Sequence, residues 1–257
     1  MHAIILAGDR PGGSPLAKAN NVSSGIFVKV NGVPCIHRVL TAIQNSLTIT
    51  SATIVGPSKV SLLGESLLTD LIKAYGFNWL SPEKGPAASA VKGLEHANTL
   101  PVLLTTGDHA LLTPAIIDEF CKSAKALHAD FVVGLVPYAD VIEAFPHTKR
   151  TLLRFADGIY CGCNLFLLKT RESQSVLNFW KNVESDRKNP WRIVMKIGPK
   201  LLLKYFFRLL TISELLEKLS VCSGAQVRYV SVANLIAAID VDSESDLKLA
   251  NEICKND

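Results

Sequence analysis

The chain has 257 residues, 48% of them hydrophobic, and a formal net charge of +4. That is enough for one large α/β domain or two small ones and ample for a core. The basic residues are scattered without interleaved aromatics, which argues against a nucleic-acid partner, and no apolar run reaches the length of a membrane span.

Ala3–Ala7 reads as a buried strand, followed by a loop containing Gly8, Arg10, Gly12 and Gly13. Ile26–Val30 is a short extended piece turned by Asn31-Gly32, and Pro34 opens a helix to about Asn45 with Ile36, Val39, Leu40 and Ile43 on one face. A strand at Ala52–Val55 precedes a helix over Leu62–Tyr75 in which Gly64 is a weak spot. Asn78–Leu80 is a third strand and Pro86–Ala97 a helix. Pro101–Thr106 is a strand ending at Gly107-Asp108. Thr113 caps a helix opened by Pro114, and Phe131–Val136 is the next strand. This alternation predicts a three-layer α/β/α, Rossmann-like architecture around a mostly parallel sheet.

The pattern then changes. Thr151–Phe155 and Ile159–Leu168, joined by Asp157-Gly158, read as an antiparallel hairpin. Glu172–Asp186 is helical, and a helical insert over about 190–221 has breaks at Gly198-Pro199 and near Thr211. Ala225–Val230 and Ala237–Asp240 are strand candidates. Ser243 and Asp246 have capping-box spacing ahead of the last helix, to Cys254. One domain over 1–257 accommodates all of this. The six cysteines lack zinc or redox spacing, and Cys161 and Cys163 share one face of a strand. They read as free thiols of a reducing compartment, and no signal peptide is apparent, so a cytoplasmic location is expected.

Ligands of open α/β sheets bind outside the carboxyl ends of the strands. That rule selects the Gly8–Gly13 loop, Asp108, and Asp240-Val241-Asp242. Backbone N–H groups of a glycine-rich turn, backed by Arg10, form a nest for phosphate; an ordinary surface loop is the alternative. Two carboxylates meeting at such an edge suit Mg²⁺, whereas each taken alone reads as a turn or capping aspartate. Lys149, Arg150 and Arg154 read either as a clamp on an acceptor phosphate or as a solvated basic strand. Of the histidines, His109 beside Asp108 is the one placed near the cleft, in a packing role.

Together these segments resemble the MobA-like NTP transferases, nucleotidyltransferases of the GT-A type. AIILAGDRPGG is similar to that family's strand and nucleotide loop, and VNGVPCIHRVL to the turn and helix that follow. GPAASAVKGL is similar to the segment against base and ribose, LLTTGDHALLTP to the strand bearing the metal aspartate, and IDVDSESDLKLA to the C-terminal acidic segment. The resemblance implies transfer of an NMP from an NTP to a phosphorylated small molecule, with release of pyrophosphate. It implies Asp108 and Asp242 as Mg²⁺ ligands, with Asp240 a lesser candidate, and Arg10 as a catalytic cation. Leu6, Ala7, Gly8, Gly12, Gly13, Gly85, Pro86, Ala87 and Ser89 would contact the nucleotide, CTP or GTP by family habit. Arg150, Arg154 and Asn164 would contact the acceptor. One departure stands out: Gly25 occupies the position where the family carries a phosphate-binding lysine. Lys29 lies too far along its strand to replace it, while Lys18 sits in the loop. A nucleotide-binding sensor without turnover and a GT-A glycosyltransferase are the rival readings.

Lys196, Lys200, Lys204 and Arg208 recur every four residues through apolar surroundings (GPKLLLKYFFRLL). This stripe reads as a helical lid packed on the sheet, as a homodimer contact, or as a membrane-surface contact through 198–210.

Overall fold

In the computed structural model β1 (His2–Leu6) is buried along its whole length. It pairs in parallel with β4 (Ser51–Val55) on one side and β6 (Val102–Thr106) on the other. A strand so placed has no solvent face, which is why its sequence is almost unbroken hydrocarbon. Its one polar residue, His2, is matched to the hydroxyls of Ser51 and Thr53 at 2.8 and 2.9 Å. The structure describes residues 1–9, 13–185 and 198–256.

The sheet continues past β4 to β5 (Asn78–Leu80). Past β6 come β9 (Gly158–Leu168), β7 (Phe131–Pro137) and β10 (Val227–Ser231), giving the order β10-β7-β9-β6-β1-β4-β5. β9 is antiparallel to both its neighbours, and β8 (Leu152–Phe155) joins its outer half. The hairpin expected from the sequence is therefore set into the sheet rather than laid on it. β2 (Lys29–Val30) and β3 (Val33–Pro34) form a separate small ribbon.

Strand alternation divides the core into two layers. Ala3, Ile5, Ala52, Ile54 and Leu103 face α2 (Cys35–Asn45), α4 (Ser66–Ala74) and α6 (Pro114–Ala126), through Ile36, Leu40, Leu68, Ile117 and Phe120. Ile4, Leu6, Val55, Val102 and Leu104 face α5 (Pro86–Ala97), α8 (Ser173–Ser185) and α10 (Ile212–Ser223), through Ala90, Leu94, Leu177, Ile212 and Leu216. The block after Gly198 thus includes part of this second layer. α9 (Pro199–Phe206) precedes α10, and Thr211 and Glu214 close a capping box where the break was expected. A third cluster packs Leu16, Ala110 and Leu111 against Ile239, Val241, Leu247 and Ala250. It seats α1 (Pro15–Ala19) and α11 (Glu244–Asn256) beside the exit of β6.

Two expectations need correction. The helix over Leu62–Tyr75 is two, α3 (Lys59–Leu63) and α4, divided at Gly64 and Glu65. Ala237–Asp240 is not a strand: Leu235–Ala238 forms a 3₁₀ turn whose Asn234 side chain accepts from Ile236 N–H. Two helices add to the expected elements: α1, capped by Ser14, and α7 (Tyr138–Ala144), which follows β7 directly. Trp191 and Lys196 lie outside the described residues. Cys161 and Cys163 share one core face as expected, and burial pushes the Cys163 thiol up to about 12.

β7 and β9 do not pair evenly. Val133 faces Phe166, but Leu135 faces Gly162, and Asn164 within the irregularity has φ 52°. Gly134 lets the strands close there, because a Cβ at that position would lie 2.6 Å from the Cys163 sulfur and 3.2 Å from the Phe120 ring. Gly134→Ala is expected to cost about 1–3 kcal/mol by overpacking, read as a lower urea midpoint with an unchanged slope.

Candidate active site

The irregularity in β9 makes the site. β6 pairs with β9 only through Val102, Leu103 and Leu104. Beyond them β9 turns away, and an open cleft of about 500 Å³ appears, lined by Leu104, Thr105, Thr106, Asn164 and Phe166 on the sheet side. Thr105 Oγ1 is buried there without a hydrogen-bond partner.

One edge of the cleft is acidic. Asp108, Asp240 and Asp242 all line it. Val241 N–H donates to the Asp108 carbonyl (3.2 Å), tying the C-terminal segment to the end of β6. Asp108 is half-buried and accepts a hydrogen bond from Thr106 Oγ1 (2.6 Å). Burial first, and then the neighbouring Asp240 and Asp242, raise its pKa from 3.8 to about 6, against the opposing effect of Thr106. Asp240 is held by Arg150 Nη1 (2.6 Å) and Asn164 Nδ2 (3.1 Å). The left-handed conformation of Asn164 occurs at the irregularity itself, and such irregularities re-aim side chains.

Arg150 is buried. Besides Asp240 it pairs with Asp246, and it donates to Thr148 Oγ1 and the Ala238 carbonyl. Asp246 also accepts from the backbone N–H and the hydroxyl of Ser243, so the expected capping box is present with Arg150 on its outer oxygen. His109 is buried and pushed down to about 4 by that burial, which keeps it neutral.

The opposite edge is formed by Leu6, Gly8 and Asp9 after β1 and by Glu83, Lys84, Gly85, Pro86 and Ser89 at the start of α5. Pro86 stands at the first helical position, with Gly85 as cap and no side-chain capping bond. The first-turn N–H of Ala87 instead donates to Glu184 Oε2 of α8 (3.2 Å). Gly85 permits this approach, since a Cβ there would lie 2.5 Å from Glu184 Oε1. Trp180, one turn before Glu184, also lines the cleft and stacks obliquely on Phe166, with ring centroids 6.4 Å apart.

Of the residues expected from the sequence, the fold therefore brings Leu6, Gly8, Gly85, Pro86, Ser89, Asp108, Asn164 and Asp242 to one cleft. Ala7 and Ala87 are buried directly beside it. Gly13, at φ 76°, has the Lys18 side chain close by, its Cε 3.8 Å from where a Cβ would stand. Arg10 and Gly12 lie outside the described residues. Arg150 sits behind the acidic edge, engaged by two aspartates, and Arg154 lines a separate groove with α9. Sequence reasoning missed Glu184, Trp180 and Phe166. The i, i+4 spacing of Trp180 and Glu184 marks one helix face, but nothing local says that this face meets α5.

Among the described residues no group of three or more His, Cys, Asp or Glu side chains is arranged to hold a metal unaided. The pair Asp108 and Asp242 suits an ion that completes its shell with phosphate oxygens and water, as Mg²⁺ commonly does. Burial, and after it the repulsion by Asp240 and Asp242, raises the Asp108 pKa, and a cation would relieve the repulsive part.

A mostly parallel α/β sheet with a cleft outside the carboxyl ends of its strands is the setting in which open α/β folds bind their ligands. The model of the MobA-like NTP transferase domain matches residues 3–152, and the chain belongs to that family. A hypothetical transferase of Thermus thermophilus is 29% identical, with a TM-score of 0.79 over 96% of this chain and 98% of that one. A CMP:2-keto-3-deoxy-manno-octonic acid synthetase solved with CTP is 12% identical, with a TM-score of 0.60 over 100% of this chain and 99% of that one. Molybdopterin-guanine dinucleotide biosynthesis protein A of Archaeoglobus fulgidus is 15% identical, with a TM-score of 0.54 over 100% of both chains. The last two likenesses concern the fold. No curated protein matches the chain.

Two outcomes are expected. Asp108 binds its proton more tightly folded than unfolded, so ionising it costs stability. That cost is absent below the unfolded value of 3.8 and fully developed above about 6. In metal-free buffer Asp108→Asn should therefore melt a few degrees higher than the parent at neutral pH and equal it near pH 4. Arg150→Met strands two carboxylates, one of them buried, and should cost about 3–5 kcal/mol in urea unfolding.

Proposed function

We propose that this chain is a Mg²⁺-dependent nucleotidyltransferase that moves an NMP from an NTP onto a phosphorylated small-molecule acceptor. The observation that supports the reading is that Asp108 and Asp242 line the same cleft as Gly8 and Gly85, with Val241 N–H bonded to the Asp108 carbonyl. Asp108 and Asp242 would hold the ion, which supplies charge neutralisation on the phosphates. The Gly8–Gly13 turn, with Arg10 and Gly12, would cradle the triphosphate. Lys18, folded against Gly13, takes the place of the lysine that Gly25 replaces. The acceptor's phosphate oxygen forms a bond to the α-phosphorus while the bond to the pyrophosphate oxygen breaks, and positioning in line supplies much of the rate.

Glu184 orders the two ends of the nucleotide. A carboxylate at the N-terminus of α5 repels phosphate but accepts from the amino edge of a base, so base and ribose belong beside Gly85, Pro86, Ala87 and Ser89. CTP, GTP and ATP all carry an amino group that fits that edge and UTP does not; the family resemblance favours CTP or GTP. Asn164 faces the acceptor or ribose while steadying Asp240. Arg150 acts as a positioning residue for Asp240 and Asp246, and Arg154 belongs to the groove beside α9.

Pyrophosphate release from the four NTPs, with sugar and polyol phosphates as acceptors and Mg²⁺ present, tests the reading. Asp108→Asn and Asp242→Asn should each lower turnover by at least about a hundredfold, and Lys18→Met should lower kcat more than it raises KM. Glu184→Ala should narrow the difference in kcat/KM among the four bases. Gly25 favours one other reading, a nucleotide sensor: NTP-induced thermal stabilisation with no pyrophosphate from any pair would establish it instead.

A further inference from the structure

Five of the eleven large apolar side chains exposed among the described residues fall within seven consecutive positions: Leu203, Tyr205, Phe206, Phe207 and Leu209. Phe206 is 80% exposed, and Leu203, Phe207 and Leu209 are each near 60%. Single exposed apolar residues are ordinary, but a cluster of this kind marks an interaction surface. The stretch from 198 to 211 also carries Lys200, Lys204 and Arg208 and no carboxylate.

The patch is held in place from beneath. Leu210 is 2% exposed in the second core layer, Ala156 N–H donates to its carbonyl (2.8 Å), and Leu209 N–H donates to Lys204 (2.8 Å). Tyr205 meets Phe155 edge-on at 6.1 Å. Arg208 takes a left-handed conformation, φ 56°, just past the helix. A groove of about 560 Å³ beside it is walled by Leu202, Leu203 and Phe206 and edged by Arg154 and Arg208. None of these residues lines the nucleotide cleft.

We propose that this face is a docking surface for an anionic lipid bilayer, on which the protein rests peripherally. Exposed Phe and Leu enter the interfacial region while the cations meet lipid phosphates, the division of labour of an interfacial amphipathic helix. Charge decides the occupant. Lys204 is paired with Glu214 at 2.5 Å; a second copy related by two-fold symmetry would face the remaining cations, Lys200, Arg208 and Arg154, with the same cationic patch, whereas an anionic headgroup layer complements them. No helix among the described residues is long and apolar enough to cross a membrane, so attachment here is by surface contact.

Co-sedimentation of the full chain with vesicles tests this independently of the enzymatic reading. Binding is expected to phosphatidylcholine vesicles containing about one third phosphatidylglycerol and not to phosphatidylcholine alone, and it should weaken with salt. Phe206→Ser with Phe207→Ser should lower the bound fraction at least about tenfold, as should Lys200→Glu with Arg208→Glu. Leu63→Ser, exposed on α3, should leave binding unchanged. Melting temperatures of the surface variants equal to the parent's show that the fold survives. The proposal is overturned by absence of sedimentation with anionic vesicles, by equal binding to both vesicle types, or by binding that survives Phe206→Ser with Phe207→Ser. A dimer in sedimentation velocity that those two changes dissolve, without vesicle binding, overturns it in favour of a second copy.

Discussion

The amide of Val241 donates to the carbonyl of Asp108, and through that bond the last acidic segment of the chain lies against the end of β6. Three carboxylates then share one edge, an arrangement that repels itself in a partly desolvated place. The surroundings offset this in a definite order. Arg150 and Asn164 take Asp240, Thr106 takes one oxygen of Asp108, and the apolar cluster around Ile239, Val241 and Leu247 holds the backbone in place. Asp108 keeps a raised proton affinity even so. Burial supplies the largest part of that rise, and the neighbouring aspartates add to it.

The framework was readable because it rests on local signals. β1, β4 and β6 are apolar on both faces, as interior parallel strands must be, and Thr113 and Ser243 announce their helices by capping chemistry. What escaped depends on partners far along the chain. Arg150 sits in a basic run and resembles a substrate clamp until Asp246, nearly a hundred residues later, is seen to occupy it. Ile239 and Ala237 have strand-like neighbours, but Asn234 turns the segment into a 3₁₀ turn instead. The irregularity at Asn164 belongs to the pairing of β9 with β7, and pairing is not written in either strand alone.

The lining of the cleft comes from two parts of the chain. Gly8, Gly85–Ser89 and Asp108 lie within residues 3–152, the span shared with the family. Asn164, Phe166, Trp180, Glu184 and both later aspartates lie beyond it. Function is carried by sites rather than by folds, and part of this cleft's lining lies outside the shared span. The negative charge Glu184 brings to the first turn of α5 is a case in point, since helix N-termini otherwise favour anions.

The departure of β9 from β6 is a split in the sheet's own hydrogen bonding: beyond Leu104, β6 stays paired with β1 while β9 goes on with β7 and β8. The floor of the notch therefore lies between strands rather than between loops. Substitutions in the fringe loops would change what is admitted without touching the strand pairing that forms it.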